Sequence, residues 1–97
     1  MILPCFKLLA EPIDENARTM KPFQWAASEV GKRSKIGGIP FGIKEEDYPV
    51  CPCCKKRMTF YGQLDSLNDD YIIADCGLIA TFICFECNEV KAEIVTC

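Results

Sequence analysis

Two cysteine pairs, Cys51-Pro52-Cys53-Cys54 and Cys84-Phe85-Glu86-Cys87, constrain this chain more than any other feature. Each spans a gap of two residues, short enough for a tight turn to aim both sulfurs at one point. Two such turns facing each other build a closed tetrahedral four-thiolate site of the kind that holds structural zinc. The 29-residue spacer is longer than the usual run of about 15 to 20. It fits if the intervening chain is mostly strands and turns that return to their start. Cys51 with Cys54 has the required gap, whereas adjacent Cys53 and Cys54 would be badly oriented. The candidate metal ligands are therefore Cys51, Cys54, Cys84 and Cys87, holding one structural Zn2+.

Ninety-seven residues suffice for one small domain. At that size an apolar core gives marginal stability, so a metal staple is physically useful. Hydrophobic residues make up 49% and charged residues 26%, the balance of a folded chain rather than a disordered one. No apolar run approaches the roughly 20 residues needed to cross a bilayer. Pro4 and Lys7 interrupt the apolar stretch at the N-terminus, which lacks the positive leader of a secretory signal. The expected compartment is the cytoplasm, where eight cysteines point to metal ligands plus free thiols rather than bridges. Cys5, Cys53 and Cys76 are expected as small buried hydrophobes, and Cys97 as such or as a frayed end.

Along the chain, residues 1–10 carry a short apolar stretch suited to an edge strand, and Glu11 to Lys21 reads as a loop. Phe23, Ala26, Ala27 and Val30 fall on one face of a helical period after Pro22, predicting a short helix that ends at Gly31. Trp25 lies off that face. Gly37-Gly38-Ile39-Pro40-Phe41-Gly42 is expected as a structural turn, since no Gly-Lys-Ser/Thr ending marks it as a phosphate cradle. From Pro49 onward the pattern is β. Met58, Phe60 and Leu64 are expected on one strand face, and Asp65 to Asp70 reads as a turn. Tyr71 to Ala74 reads as a short strand, and Leu78 to Cys84 as a central strand apolar on both faces. Val90, Ala92 and Ile94 alternate with Glu89, Lys91 and Glu93 in a half-exposed strand.

The chain has no histidine, which removes the commonest general base and the usual catalytic zinc ligand. Four cysteine ligands leave no open position for water or substrate, so the chain reads as a non-enzyme. The net charge of −3 disfavours generic polyanion binding. Two basic runs, Lys32-Arg33-Ser34-Lys35 and Lys55-Lys56-Arg57, keep a nucleic-acid-binding zinc ribbon as an alternative. A second alternative is thiol-disulfide chemistry at Cys51 and Cys54. Lys55 to Arg57 and a strand follow that pair, where a redox site would have an apolar helix. The Asp65 to Asp70 segment lacks the spacing and terminal glutamate of a calcium loop.

One longer pattern runs through these pieces. Lys35-Ile36-Gly37-Gly38-Ile39-Pro40 is followed by the Cys51/Cys54 pair, then Met58-Thr59-Phe60-Tyr61-Gly62-Gln63, then Phe82-Ile83-Cys84-Phe85-Glu86-Cys87. Over residues 34–87 this order resembles the bacterial YwqG-like family and, more distantly, the domain of programmed cell death protein 2. The chain departs from that family at Gly42-Ile43-Lys44-Glu45, where members commonly carry an aromatic and a glutamine, and it is shorter than most of them. The resemblance implies a β-rich zinc-binding body that handles other proteins, with chaperone-like or immunity roles among relatives.

The chain is thus read as a single domain, 1–97. An N-terminal strand, loop and helix segment (1–33) precedes a zinc-ribbon-like body (34–97). The expected fold is mostly β (small α+β), an antiparallel sheet with two C-x-x-C turns and one short N-terminal helix. Its expected function is a non-enzymatic protein-interaction module, immunity or chaperone-like in form, with another protein as partner and no membrane. Trp25, Gly37, Gly38, Pro40 and Phe41 are the candidate interaction surface.

Overall fold

The alternating residues of the second half of the chain form three long antiparallel strands, and two short strands extend them to a five-stranded sheet. The computed structural model describes residues 1–21 and 30–96. The strands are β1 (Phe6–Lys7), β2 (Lys35–Ile36), β3 (Thr59–Asp65), β4 (Leu78–Cys84) and β5 (Glu89–Val95). They lie side by side in sequence order, every pairing antiparallel. The mostly-β expectation holds at this level. In the N-terminal segment, β1 is the edge of the same sheet.

One face of the sheet carries the core. Phe60, Leu78, Ala80, Phe82 and Val95 are buried there with Met58, Cys51 and Cys84. Phe82 is the hub: its ring lies 5.6 Å from Phe60, edge to face, and 5.2 Å from Tyr48. Full burial of such a ring contributes about 1.5–3 kcal/mol relative to exposure. Cys51 and Cys84 belong to this cluster, so the cysteine site grows directly out of the core.

The predicted face of β3 is only half right, and a bulge is the reason. Phe60 pairs with Phe82 but Gly62 pairs with Thr81, so Tyr61 is an extra residue in the ladder. One inserted residue reverses the alternation beyond it. Phe60 faces the core, then Gln63 and Asp65 take that side, while Leu64 turns outward and is 54% exposed. Gly62 matters at this point because a Cβ there would sit 2.7 Å from the Lys35 carbonyl oxygen of β2.

β4 is flanked on both edges but is not buried on both faces. Leu78, Ala80, Phe82 and Cys84 are buried, whereas Ile79, Thr81 and Ile83 are half-buried. In β5 the apolar set Val90, Ala92 and Ile94 points away from the core, beside Ile83, Thr81 and Ile79. The outer sheet face is therefore an uncharged surface. Tyr61 (44%), Leu64 (54%), Val90 (65%) and Ile94 (66%) stand exposed on it.

The helical expectation over 22–30 falls on residues outside the described set, as does Trp25, except for Val30, which is buried. A single helical turn (α1, Glu15–Arg18) instead occupies the stretch read as loop. Asp14 caps it, accepting from the Ala17 N–H at 3.1 Å, and Arg18 pairs back to Glu15. Tyr71 to Ala74 is not a strand. Asn68 caps a 3-10 turn over Asp69–Tyr71, and only an isolated bridge joins Ile73 to Gly77.

Candidate metal centre

Cys51 and Cys84 open two turns with the same backbone construction. The N–H of Lys55 donates to the Cys51 carbonyl at 2.9 Å, and the N–H of Asn88 donates to the Cys84 carbonyl at 2.8 Å. Lys55 (φ 64°) and Asn88 (φ 58°) both adopt the left-handed conformation that such a return requires. Asparagine tolerates that region, whereas lysine is strained in it. The Val50–Arg57 bridge and the Met58 N–H to Pro49 carbonyl bond lock the first turn. The last β4–β5 pair, Cys84 with Glu89, closes the second. Lys56 and Glu86 reach across from one turn to the other at 3.7 Å, an exposed contact that contributes little.

These turns bring together the sulfurs of Cys51, Cys54, Cys84 and Cys87, all within 4.8 Å of one another. Cys54 Sγ lies 3.7 Å from Cys84 Sγ. Four sulfurs at about 2.3 Å from a central ion stand about 3.8 Å apart in a tetrahedron. The donor set therefore fits one tetrahedral ion. Cys53 is exposed and outside the four, although its thiol contacts Cys87 and helps raise it.

The electrostatics point the same way. The Cys54 N–H beside Cys51 pulls that thiol down to about 7 against the opposing effect of burial. At Cys54 the Lys56 N–H also lowers the thiol, but burial and the Cys84 and Cys51 sulfurs outweigh it, so the net direction is up. Cys87 is raised by the Cys53 thiol, burial and the other three sulfurs. One thiol ionises readily and its neighbours then resist. A cation at the centre would remove that resistance.

The remaining cysteines depart from expectation. Cys5 and Cys53 are exposed rather than buried, and Cys76 is half-buried and disulfide-bonded. Cys97 lies outside the described residues.

The candidate interaction loop divides into support and surface. Gly37 and Pro40 are buried and Gly38 is half-buried, while Phe41 and Ile39 are exposed. Gly37 (φ 77°) donates to the Tyr61 carbonyl at 2.7 Å, and Gly38 donates to the Leu3 carbonyl at 2.9 Å. The two glycines thus hold the loop between β3 and the N-terminal segment, and only its tip, Ile39 and Phe41, is exposed.

The sequence reading missed a polar network beneath that loop. Gln63 accepts from the Phe41 N–H at 3.1 Å and donates to the Arg33 carbonyl at 2.7 Å. Arg33 grips Asp65 through two nitrogens at 2.8 and 2.7 Å and also donates to the Cys76 carbonyl. Its guanidinium lies 5.0 Å from the centre of the Phe41 ring. Burial alone would push the Asp65 carboxyl up. The Arg33 guanidinium and the N–H groups of Arg33, Gly31 and Ser66 outweigh it and hold the carboxyl below its usual range. Gln63 stood in the family-like pattern, but only the bulge at Tyr61 turns it inward.

The fold and site define a small β-protein with a four-cysteine cluster. Over a 57-residue alignment that covers 56% of the chain, it is 37% identical to the uncharacterized protein YpfL of Salmonella typhimurium (strain LT2), 13% of which is covered. The chain thus spans well under two thirds of this relative. No protein-family profile matches the chain, and no solved structure does. Among the described residues no helix is long and apolar enough to cross a membrane.

Proposed function

We propose that this chain is a small non-enzymatic protein-interaction module, stabilised by one structural Zn2+ on Cys51, Cys54, Cys84 and Cys87. The carrying observation is the closed all-sulfur set, with every sulfur within 4.8 Å of the others. An all-cysteine tetrahedron suits zinc, and four protein ligands leave it no site for water activation. In this reading the paired turns are the two C-x-x-C knuckles of a zinc-ribbon-like body, and the cytoplasm is its compartment. The metal holds the hairpin that joins β4 and β5 to the turn preceding β3. The sheet so held presents the uncharged outer face of Tyr61, Leu64, Ile79, Ile83, Val90 and Ile94, the kind of surface by which proteins meet partners. Immunity or chaperone-like action is the concrete form that the resemblance implies.

The experiment is capture from native lysate with zinc-loaded protein and with a Tyr61→Lys/Leu64→Lys variant shown to keep its zinc. A stoichiometric protein partner that binds the first and not the second supports the reading. No reproducible stoichiometric partner, or equal capture by both, counts against it. The nucleic-acid alternative loses one of its six basic residues. Arg33 is held by Asp65 with its side chain 11% exposed. Filter binding at low salt with RNA and DNA pools checks it directly.

A further inference from the structure

β5 ends the sheet, and among the described residues nothing pairs with its outer edge. It is seven residues long, Glu89-Val90-Lys91-Ala92-Glu93-Ile94-Val95, without proline or bulge. An edge of that length with a free row of N–H and C=O groups is a template for another strand. Its sequence selects which strand. Charges of alternating sign, Glu89, Lys91 and Glu93, share one face, and Val90, Ala92 and Ile94 share the other.

We propose that β5 pairs antiparallel with β5 of a second copy of this chain, with the two-fold axis at Ala92. A two-fold axis perpendicular to a sheet keeps each side chain on its own face, so the axis must lie midway between the two copies of one residue. Each possible register can then be checked. Centred on Ala92, all seven residues of the strand are paired. Lys91 then faces Glu93 of the second copy and Glu93 faces its Lys91, while Val90 and Ile94 face each other on the opposite side. Alanine, the smallest residue of the strand, meets itself at the axis. Glu89 falls opposite Val95.

The neighbouring registers fail on charge. Centred on Lys91, two ammonium groups meet and Glu89 faces Glu93 twice. Centred on Glu93, two carboxylates meet and Lys91 faces Val95. Like charges directly opposite destabilise a pair of strands. Centres at Val90 or Ile94 leave only three residues of the strand paired. Of the registers that pair five or more residues of the strand, only the one centred on Ala92 matches opposite charges, so the full-length edge is self-complementary in one way. The product is a continuous ten-stranded sheet with both cores on one side. The outer apolar face runs unbroken across the axis.

The test is sedimentation of the zinc-loaded chain together with charge-swapped variants of β5. Wild type should sediment as a dimer of the 10.9 kDa chain. Lys91→Glu alone and Glu93→Lys alone each place like charges opposite one another twice and should weaken the dimer about tenfold or more. The double variant K91E/E93K should regain it. A mixture of the two single variants should form a heterodimer, since every pair is then of opposite sign. Circular dichroism and zinc content confirm that each variant is folded. A wild-type chain that stays monomeric at its highest soluble concentration overturns the proposal. So does a dimer unmoved by either single swap, or a mixture of the single variants that does not associate.

Discussion

Asp65 holds Arg33 by both carboxylate oxygens, with an Nη2–Oδ1 distance of 2.7 Å and side chains only 1% and 11% exposed. The pair joins the end of β3 to the segment entering β2, and the Phe41 ring covers its open side. Breaking a buried pair by removing one partner costs about 3–5 kcal/mol, because the other charge stays buried and unmatched. Asp65→Asn should therefore lower stability by about that much in urea unfolding. Asp65→Glu, which keeps the charge but lengthens the arm, should cost less.

The same pair fixes a pH dependence. Asp65 has a folded-state pKa below its usual value, so its contribution is present above the unfolded carboxylate range. It is lost as pH falls through the lowered folded value. Wild type should thus lose stability more steeply than Asp65→Asn as pH drops below about 4. Parallel curves for the two proteins would show that Asp65 is not the group concerned.

Gln63 satisfies one donor and one acceptor of two separate loops. Gln63→Met should orphan the Phe41 N–H and the Arg33 carbonyl, costing about 1–3 kcal/mol for each group that stays dry. Gln63→Glu keeps the acceptor for Phe41 but sets an oxygen against the Arg33 carbonyl. It should destabilise as well, and hydrogen exchange at the Phe41 amide separates the cases. Faster exchange at Phe41 is expected in the methionine variant and slower exchange in the glutamate one.

Gly37 (φ 77°) has no room for a side chain, since a Cβ would fall 1.9 Å from the Pro4 carbonyl oxygen. Gly37→Ala should displace residues 3–5 from the Gly37-Gly38 turn and cost more than about 1 kcal/mol. The amide of Gly38, bonded to the Leu3 carbonyl, should lose its exchange protection. Gly38→Ala meets the Cys5 sulfur at 2.8 Å, the end of a movable side chain, and should cost less.

What the sequence made legible was what local spacing carries. Cysteine gaps and strand alternation depend on neighbours two or three residues apart, so the four cysteines and the positions of β3, β4 and β5 could be read directly. The bulge at Tyr61 could not. Nothing local distinguishes an inserted residue from the next step of an alternation, and the insertion decides whether Gln63 and Asp65 face core or solvent. Arg33 read as one member of a basic run because its partner lies 32 residues away. The turn at Glu15–Arg18 had its Asp14 cap in plain view. One helical turn, however, has no apolar face to announce it.

In the proposed function four cysteines hold one zinc ion, and that ion holds the fold. Native mass spectrometry of the purified chain tests it most directly, with Cys53→Ser and Cys54→Ser measured alongside. One zinc per chain is expected in the wild type and in Cys53→Ser, with its loss in Cys54→Ser and unfolding of the wild type on chelation. A metal-free wild-type chain with its full secondary structure would contradict it.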